Sequence, residues 1–311
     1  MYLRREFLMH LVAQSLLPNA VFAKPERPQA DVIGELRYHV AEPEDTLADL
    51  AIRYDLGYTE LVAANRGIDP WQPPPDTRIL LPLQHVLPRA KRRGIVINIA
   101  DQRLYFFPAS GQPRSYPIGV AAENTGIVLG QTAVVRKQTN PIWFPPPSIR
   151  AERPDLPSSV GPGPDNPLGS MALYLGWPAM VIHGTNRPYG IGRRVSHGCF
   201  RLYEFDIREL YPDVIPGLPV NVVYQPVKIG WAGHALMLEI HPDADQAADL
   251  EISGDFRPND PVELPALLQE TVGPALRKRI EWDLVAEAAW RRTGVPVRID
   301  RLPVLSPSKS R

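Results

Sequence analysis

One residue of the chain stands apart chemically: Cys199, its single cysteine. It lies in Ser196-His197-Gly198-Cys199-Phe200-Arg201, and a second histidine lies upstream in Val181-Ile182-His183-Gly184-Thr185. A thiol attacks carbonyls as thiolate, and an imidazole can take its proton or, when charged, stabilise the sulfur anion. Gly198 frees the backbone to turn sharply, so that consecutive N–H groups can face the oxyanion of an acyl-transfer intermediate. The stretch between the two motifs holds Gly190 and Gly192 and can fold His183 back towards Cys199. Residue types alone leave a second reading open: a core cysteine near two structural histidines, since free cysteine is among the most buried residue types. A single cysteine does exclude an internal disulfide framework and a multi-cysteine zinc site.

Those residues have to be held by the elements around them. From Gly94 the chain alternates, with Ile95, Ile97 and Ile99 on one face, and residues 103–107 follow a polar Asp101-Gln102 turn, which predicts a hairpin. Short strands are also predicted over residues 115–120, 132–137, 172–175, 180–182 and 219–224, and only residues 204–211 read as helix in this region. The expectation for residues 93–225 is a mainly β, sandwich-like catalytic domain. Composition agrees, since 36 prolines in 311 residues remove many N–H donors and favour short strands and turns over long helices. Lys plus Arg and Asp plus Glu each number 34, so the chain lacks the diffuse positive surface that supports nucleic-acid binding.

The flanks carry their own signals. Residues 1–23 read as an export signal: Arg4 and Arg5, an apolar stretch from Phe7 to Phe22, then small residues before Lys24. His10, Gln14, Ser15 and Pro18 interrupt the apolar run too often for a stable membrane span. The periplasm is the expected compartment, by the general or the twin-arginine route. Residues 24–36 are expected to be linker. In residues 37–84, Tyr38-His39-Val40, Asp45-Thr46-Leu47, Ile52, Tyr54, Leu61, Asn65 and Leu80-Leu81-Pro82 predict a β-α-α-β order, with Asp45 and Thr59 capping the two helices. This segment resembles the lysin motif (LysM), which implies a module binding N-acetylglucosamine-containing glycans. Residues 226–311 are expected to be a C-terminal extension: strand-like alternation over residues 228–241, helix from Pro261, and a disordered tail from Leu305.

The histidine–cysteine stretch resembles the signature of the L,D-transpeptidases, which cross-link bacterial peptidoglycan. Asn140-Pro141-Ile142-Trp143-Phe144-Pro145-Pro146 and Gly163-Pro164-Asp165-Asn166-Pro167-Leu168-Gly169 match further segments of that family. The resemblance implies Cys199 as nucleophile and His183 as its base, giving thiolate near neutral pH. It implies Gly184 as the residue whose carbonyl orients the imidazole, and backbone N–H groups around His197, Gly198 and Cys199 as the oxyanion hole. It leaves His197 between holding the turn and transferring a proton. Ser196 and Arg201 are the expected substrate-binding residues, with a structural salt bridge as the other role for Arg201. One departure is visible, Ile127-Val128-Leu129-Gly130 where the family often has Thr-Pro-x-Gly. It touches a turn and no catalytic group. The implied partners are the glycan strands and peptide stems of peptidoglycan, with diaminopimelate, the lysine of an outer-membrane lipoprotein, or water as acyl acceptor. No cofactor or metal is expected, since acyl transfer needs only nucleophile, base and oxyanion donors.

Overall fold

The computed structural model describes residues 30–121, 128–196, 198–258 and 264–301. The export signal, residues 24–29 of the expected linker, His197 and the expected tail lie outside the described residues. The N-terminal unit runs β1 (Val32–Gly34), β2 (Arg37–Val40), α1 (Leu47–Arg53), α2 (Tyr58–Ala64), β3 (Arg78–Leu81) and β4 (Gln84–Val86). The expected linker is thus partly strand: β1 pairs antiparallel with β4, and Asp31 just before it bonds Trp231 and Leu87 through its backbone. β2 pairs antiparallel with β3, and α1 and α2 bury Leu47, Leu50, Leu61 and Val62 against Ile79 and Leu81.

Both helix caps differ from expectation. Thr46 caps α1 by accepting the Asp49 N–H at 3.0 Å, because Asp45 is already engaged with His39 Nε2 at 2.7 Å and the Glu42 N–H at 2.8 Å. At α2 the cap position falls to Gly57, and the N–H groups of Tyr58 and Thr59 donate to the carbonyls of Ile191 and Gly192, both at 3.2 Å. The catalytic domain therefore satisfies donors that a free helix would leave to water.

That domain comprises β5 (Gly94–Asn98), β6 (Arg103–Phe107), β7 (Arg114–Pro117), β8 (Val120–Ala121), β9 (Gly130–Thr139), α3 (Pro147–Glu152), β10 (Met171–Leu175), β11 (Val181–His183), β12 (Arg194–Ser196), β13 (Phe200–Arg201), α4 (Glu204–Leu210) and β14 (Pro219–Val223). It is mainly β, but α3 adds a helix where only α4 was expected. Eight strands form one sheet in the order β13-β11-β10-β9-β14-β5-β6-β7, with β8 and β12 paired beside it. One core gathers Phe106 from β6, Val222 from β14, Ile182 from β11 and Phe200 from β13, together with Ile207 and Leu210 of α4. Strands at opposite ends of the order share that core, so a single curled sheet replaces the expected sandwich.

The remaining chain forms β15 (Val227–Ala232), β16 (Ala235–Ile240), α5 (Ala244–Ser253), α6 (Leu264–Thr271), α7 (Pro274–Arg277), α8 (Trp282–Arg291) and β17 (Val297–Arg298). The alternation predicts strand here, and the structure folds it into an antiparallel β15–β16 hairpin. Leu250 and Phe256 enter the core of the N-terminal unit. The three units are welded by polar groups as well. Arg103 of β6 donates to Glu60 of α2 at 2.7 Å, and both side chains are almost fully buried. Tyr203 donates to the Leu56 carbonyl at 3.0 Å. Asp206 of α4 meets Asp55, and burial followed by the neighbouring carboxylate pushes the Asp206 carboxyl up to about 10, so the pair shares a proton.

Candidate active site

Strand pairing brings the two sequence motifs together. β11 and β13 run parallel, with Ile182 opposite Phe200 and His183 opposite Arg201. Cys199 immediately precedes β13 and so falls beside Val181. Alternation then puts Cys199, Arg201 and His183 on one face, with Cys199 and His183 on a diagonal of about 8 Å between Cα atoms, within reach of both side chains. The sulfur accepts the Val181 N–H and lies 3.6 Å from the Ala179 carbonyl. Gly198 holds φ +120°, a conformation closed to other residues, so it reverses the backbone immediately before the thiol.

The imidazole is fixed from its other side. His183 Nδ1 donates to the Gly184 carbonyl at 2.5 Å, which assigns the proton to Nδ1 and leaves the Nε2 lone pair as the base. A Cβ on Gly184 would lie 2.0 Å from Glu204 Oε1, so any larger residue there displaces the Glu204 carboxylate. Glu204, at the start of α4, accepts from the Ser170 hydroxyl at 2.7 Å and braces the segment that carries this carbonyl. Sequence reading missed Glu204; the clue was a carboxylate opening the one helix expected within residues 93–225.

Burial sets the charge state. Desolvation lowers the His183 pKa to about 4, outweighing the Gly184 hydrogen bond, and Arg201 adds to the fall. The Cys199 thiol is pushed up, again chiefly by burial, against the pull of the Val181 N–H and Arg201. Both shifts favour the neutral forms, thiol and imidazole, where the resemblance implied thiolate near neutral pH. Loss of the sulfur proton is then coupled to attack on a carbonyl.

The other expected site residues divide. Ser196 is 2% exposed and its hydroxyl donates to the Cys199 carbonyl at 2.6 Å, so it staples the turn and is not presented to a substrate. Arg201 is half-buried and, among the described residues, has no carboxylate within ion-pair distance. It lines a cleft of ≈ 1070 Å³ between the catalytic domain and the N-terminal unit. The outer wall of the cleft includes the two further motifs: buried Asn166 donates to the Pro141 carbonyl at 2.7 Å, and Trp143 exchanges backbone hydrogen bonds with Val160. Asp101, Glu239 and His241 converge elsewhere with the spacing of metal ligands. Lys228 already places its ammonium 2.6 Å from Asp101 and 2.7 Å from Glu239, so that position holds a cation of the chain's own.

A mainly β domain that sets its one thiol and a buried imidazole on adjacent strands defines the class, a thiol-dependent acyl-transfer enzyme. Residues 92–222 match the family model YkuD, the L,D-transpeptidase catalytic domain. Probable L,D-transpeptidase YcfS of Escherichia coli is 35% identical over 283 residues, covering 87% of this chain and 85% of that protein. Probable L,D-transpeptidase ErfK/SrfK of Salmonella typhimurium is 36% identical over 275 residues, covering 84% of this chain and 85% of the relative. Its namesake in Escherichia coli is 34% identical over 273 residues, covering 84% and 83%. The chain belongs to the L,D-transpeptidase family.

Proposed function

We propose that the protein is an exported, periplasmic L,D-transpeptidase acting on tetrapeptide stems of peptidoglycan, with Cys199 as nucleophile and His183 as its base. The observation that carries this reading is the pairing of β11 with β13, which aligns the thiol with an imidazole whose Nδ1 is locked. His183 Nε2 takes the thiol proton as sulfur attacks the carbonyl between the L-centre of diaminopimelate and the terminal D-alanine. Backbone N–H groups at the Gly198-Cys199 turn receive the oxyanion. The C–N bond breaks, the imidazolium returns its proton to the departing D-alanine amine, and a thioester remains. An acceptor amine then attacks the thioester, losing a proton to His183, and the thiol is regenerated.

Arg201 binds a carboxylate of the stem, and residues 37–84 act as a LysM module holding wall glycan, a reading supported by their β-α-α-β order. The acceptor is a second diaminopimelate amine, giving a 3-3 cross-link, or a lipoprotein lysine. Mass analysis of muropeptides after incubation with purified enzyme, with and without lipoprotein, tests this. Cross-linked dimers or lipoprotein adducts support transfer, stems shortened without either make the enzyme a hydrolase, and unchanged stems contradict the proposal.

A further inference from the structure

Two large aromatic side chains from different units open onto the cleft that Arg201 lines. Trp71, between α2 and β3, is 55% exposed, and Tyr189, in the short turn before β12, is 57% exposed. Both are anchored. The Trp71 backbone N–H donates to Asp69 at 2.8 Å, and the indole packs on Tyr58 with centroids 6.1 Å apart. Tyr58 is backed by the Arg193 guanidinium 3.6 Å from its centroid, and Arg193 pairs with Glu251 of α5 at 3.5 Å. The Tyr189 hydroxyl donates to Asp49 of α1 at 2.8 Å. Fixed aromatic faces left in water forgo hydrophobic stabilisation, and rings that are apolar on the face and polar at the edge suit the C–H faces and hydroxyls of sugars.

The same cleft is cationic, and the Arg201 guanidinium lies beside the Tyr189 turn, 3.7 Å from where a Cβ on Gly190 would stand. Arg201 lacks a counter-ion among the described residues, and Arg187 on the same cleft raises the positive potential around it. A half-buried guanidinium in that position favours an anionic ligand group. At ≈ 1070 Å³ the cleft sits at the top of the range of about 300–1000 Å³ that single small ligands occupy. Its walls cannot drift apart freely, because Gly57 and Gly192 touch backbone to backbone, and a Cβ on Gly192 would lie 2.3 Å from the Gly57 Cα.

We propose that this cleft is one composite site for a disaccharide-peptide unit, with sugar rings on Trp71 and Tyr189 and a peptide carboxylate on Arg201. The N-terminal unit then forms a wall of the donor site and is more than a tether to the polymer. The proposal rests on the stem-peptide reading above. Asp49, Glu152 and Asp165, the carboxylates on the same cleft, supply acceptors for sugar hydroxyl and amide groups.

The experiment compares kcat/KM on two soluble donors, the free tetrapeptide and the same tetrapeptide carrying its N-acetylated disaccharide. The wild type should prefer the disaccharide-bearing donor. Trp71→Ala and Tyr189→Ala should each lower that preference by about fivefold to twentyfold, chiefly through KM, and Trp71→Phe should restore most of it. Arg201→Gln should weaken both donors and leave the preference standing. A wild type without preference, or a preference unmoved by either alanine variant, overturns the composite site while transpeptidation stands. Calorimetric binding of the disaccharide-peptide to Cys199→Ala decides the cleft independently of turnover. Weaker binding when Trp71→Ala is added supports it, and equal binding overturns it.

Discussion

Replacing Arg103 with methionine tests whether the N-terminal unit and the catalytic domain are one cooperative body. Arg103 Nη1 lies 2.7 Å from Glu60 Oε2, and the side chains are 3% and 4% exposed. Glu60 also accepts the Gly57 N–H at 3.1 Å, but its other oxygen has no hydrogen-bond partner. Burial pushes the Glu60 carboxyl up, and Arg103 is the main group holding it down. Methionine therefore leaves a buried carboxylate without its cation, at a cost of about 3–5 kcal/mol. The double variant Glu60→Met/Arg103→Met removes both charges and should recover to within about 2 kcal/mol of wild type, because apolar groups of similar volume can replace a buried pair. Urea unfolding followed by far-UV circular dichroism and tryptophan fluorescence reads both values, and the wild type should give one coincident transition. A loss below about 1 kcal/mol in Arg103→Met, or separate wild-type transitions for the two probes, would refute the reasoning.

Three further outcomes follow from the geometry. Alkylation of Cys199 by iodoacetamide, followed by intact mass against pH, should be slow at neutrality and still rising past the ordinary thiol range near ~8.5; a plateau below pH 7 would contradict a half-buried thiol whose pKa is raised. For His183, the folded pKa of about 4 lies below the unfolded value of 6.5, so the unfolded chain binds the extra proton as pH falls between them. Stability should drop by up to about 3 kcal/mol across that window, and His183→Asn should flatten the fall in urea midpoints measured from pH 7 to 4. Gly192 holds φ +72° against Gly57, so Gly192→Ala should cost at least about 2 kcal/mol and loosen the joint, read as faster hydrogen exchange at the N-terminus of α2.

Much of the fold was legible where one residue type dictates one geometry. The alternation of Ile95, Ile97 and Ile99 and the Asp101-Gln102 turn marked the β5–β6 hairpin, in which Gln102 does take φ 52°. Gly198 and Gly184 were identifiable beside the thiol and the imidazole because small residues stand out there. What stayed hidden depended on distant chain segments. Val32–Gly34 is too short to announce a strand and becomes one through β4 and Trp231. Thr59 lost its capping role because Ile191 and Gly192, far along the sequence, supply the acceptors. Helix α5 had a readable signal, Asp243 with Gln246 as a capping box and Gly254 in the left-handed region at its end. The charge states of His183 and Cys199 could not be read in advance, because burial is a property of the packed sheet.

The central claim is that Cys199 attacks the stem carbonyl with His183 taking its proton. Intact-mass spectrometry of the protein mixed with a tetrapeptide donor and quenched in acid tests it most directly. The wild type should gain the mass of the acyl tripeptide at Cys199 with release of one D-alanine, His183→Ala should acylate at least about a hundredfold more slowly, and Cys199→Ala should gain nothing. An adduct on Cys199→Ala, or equal acylation rates with and without His183, would contradict the account.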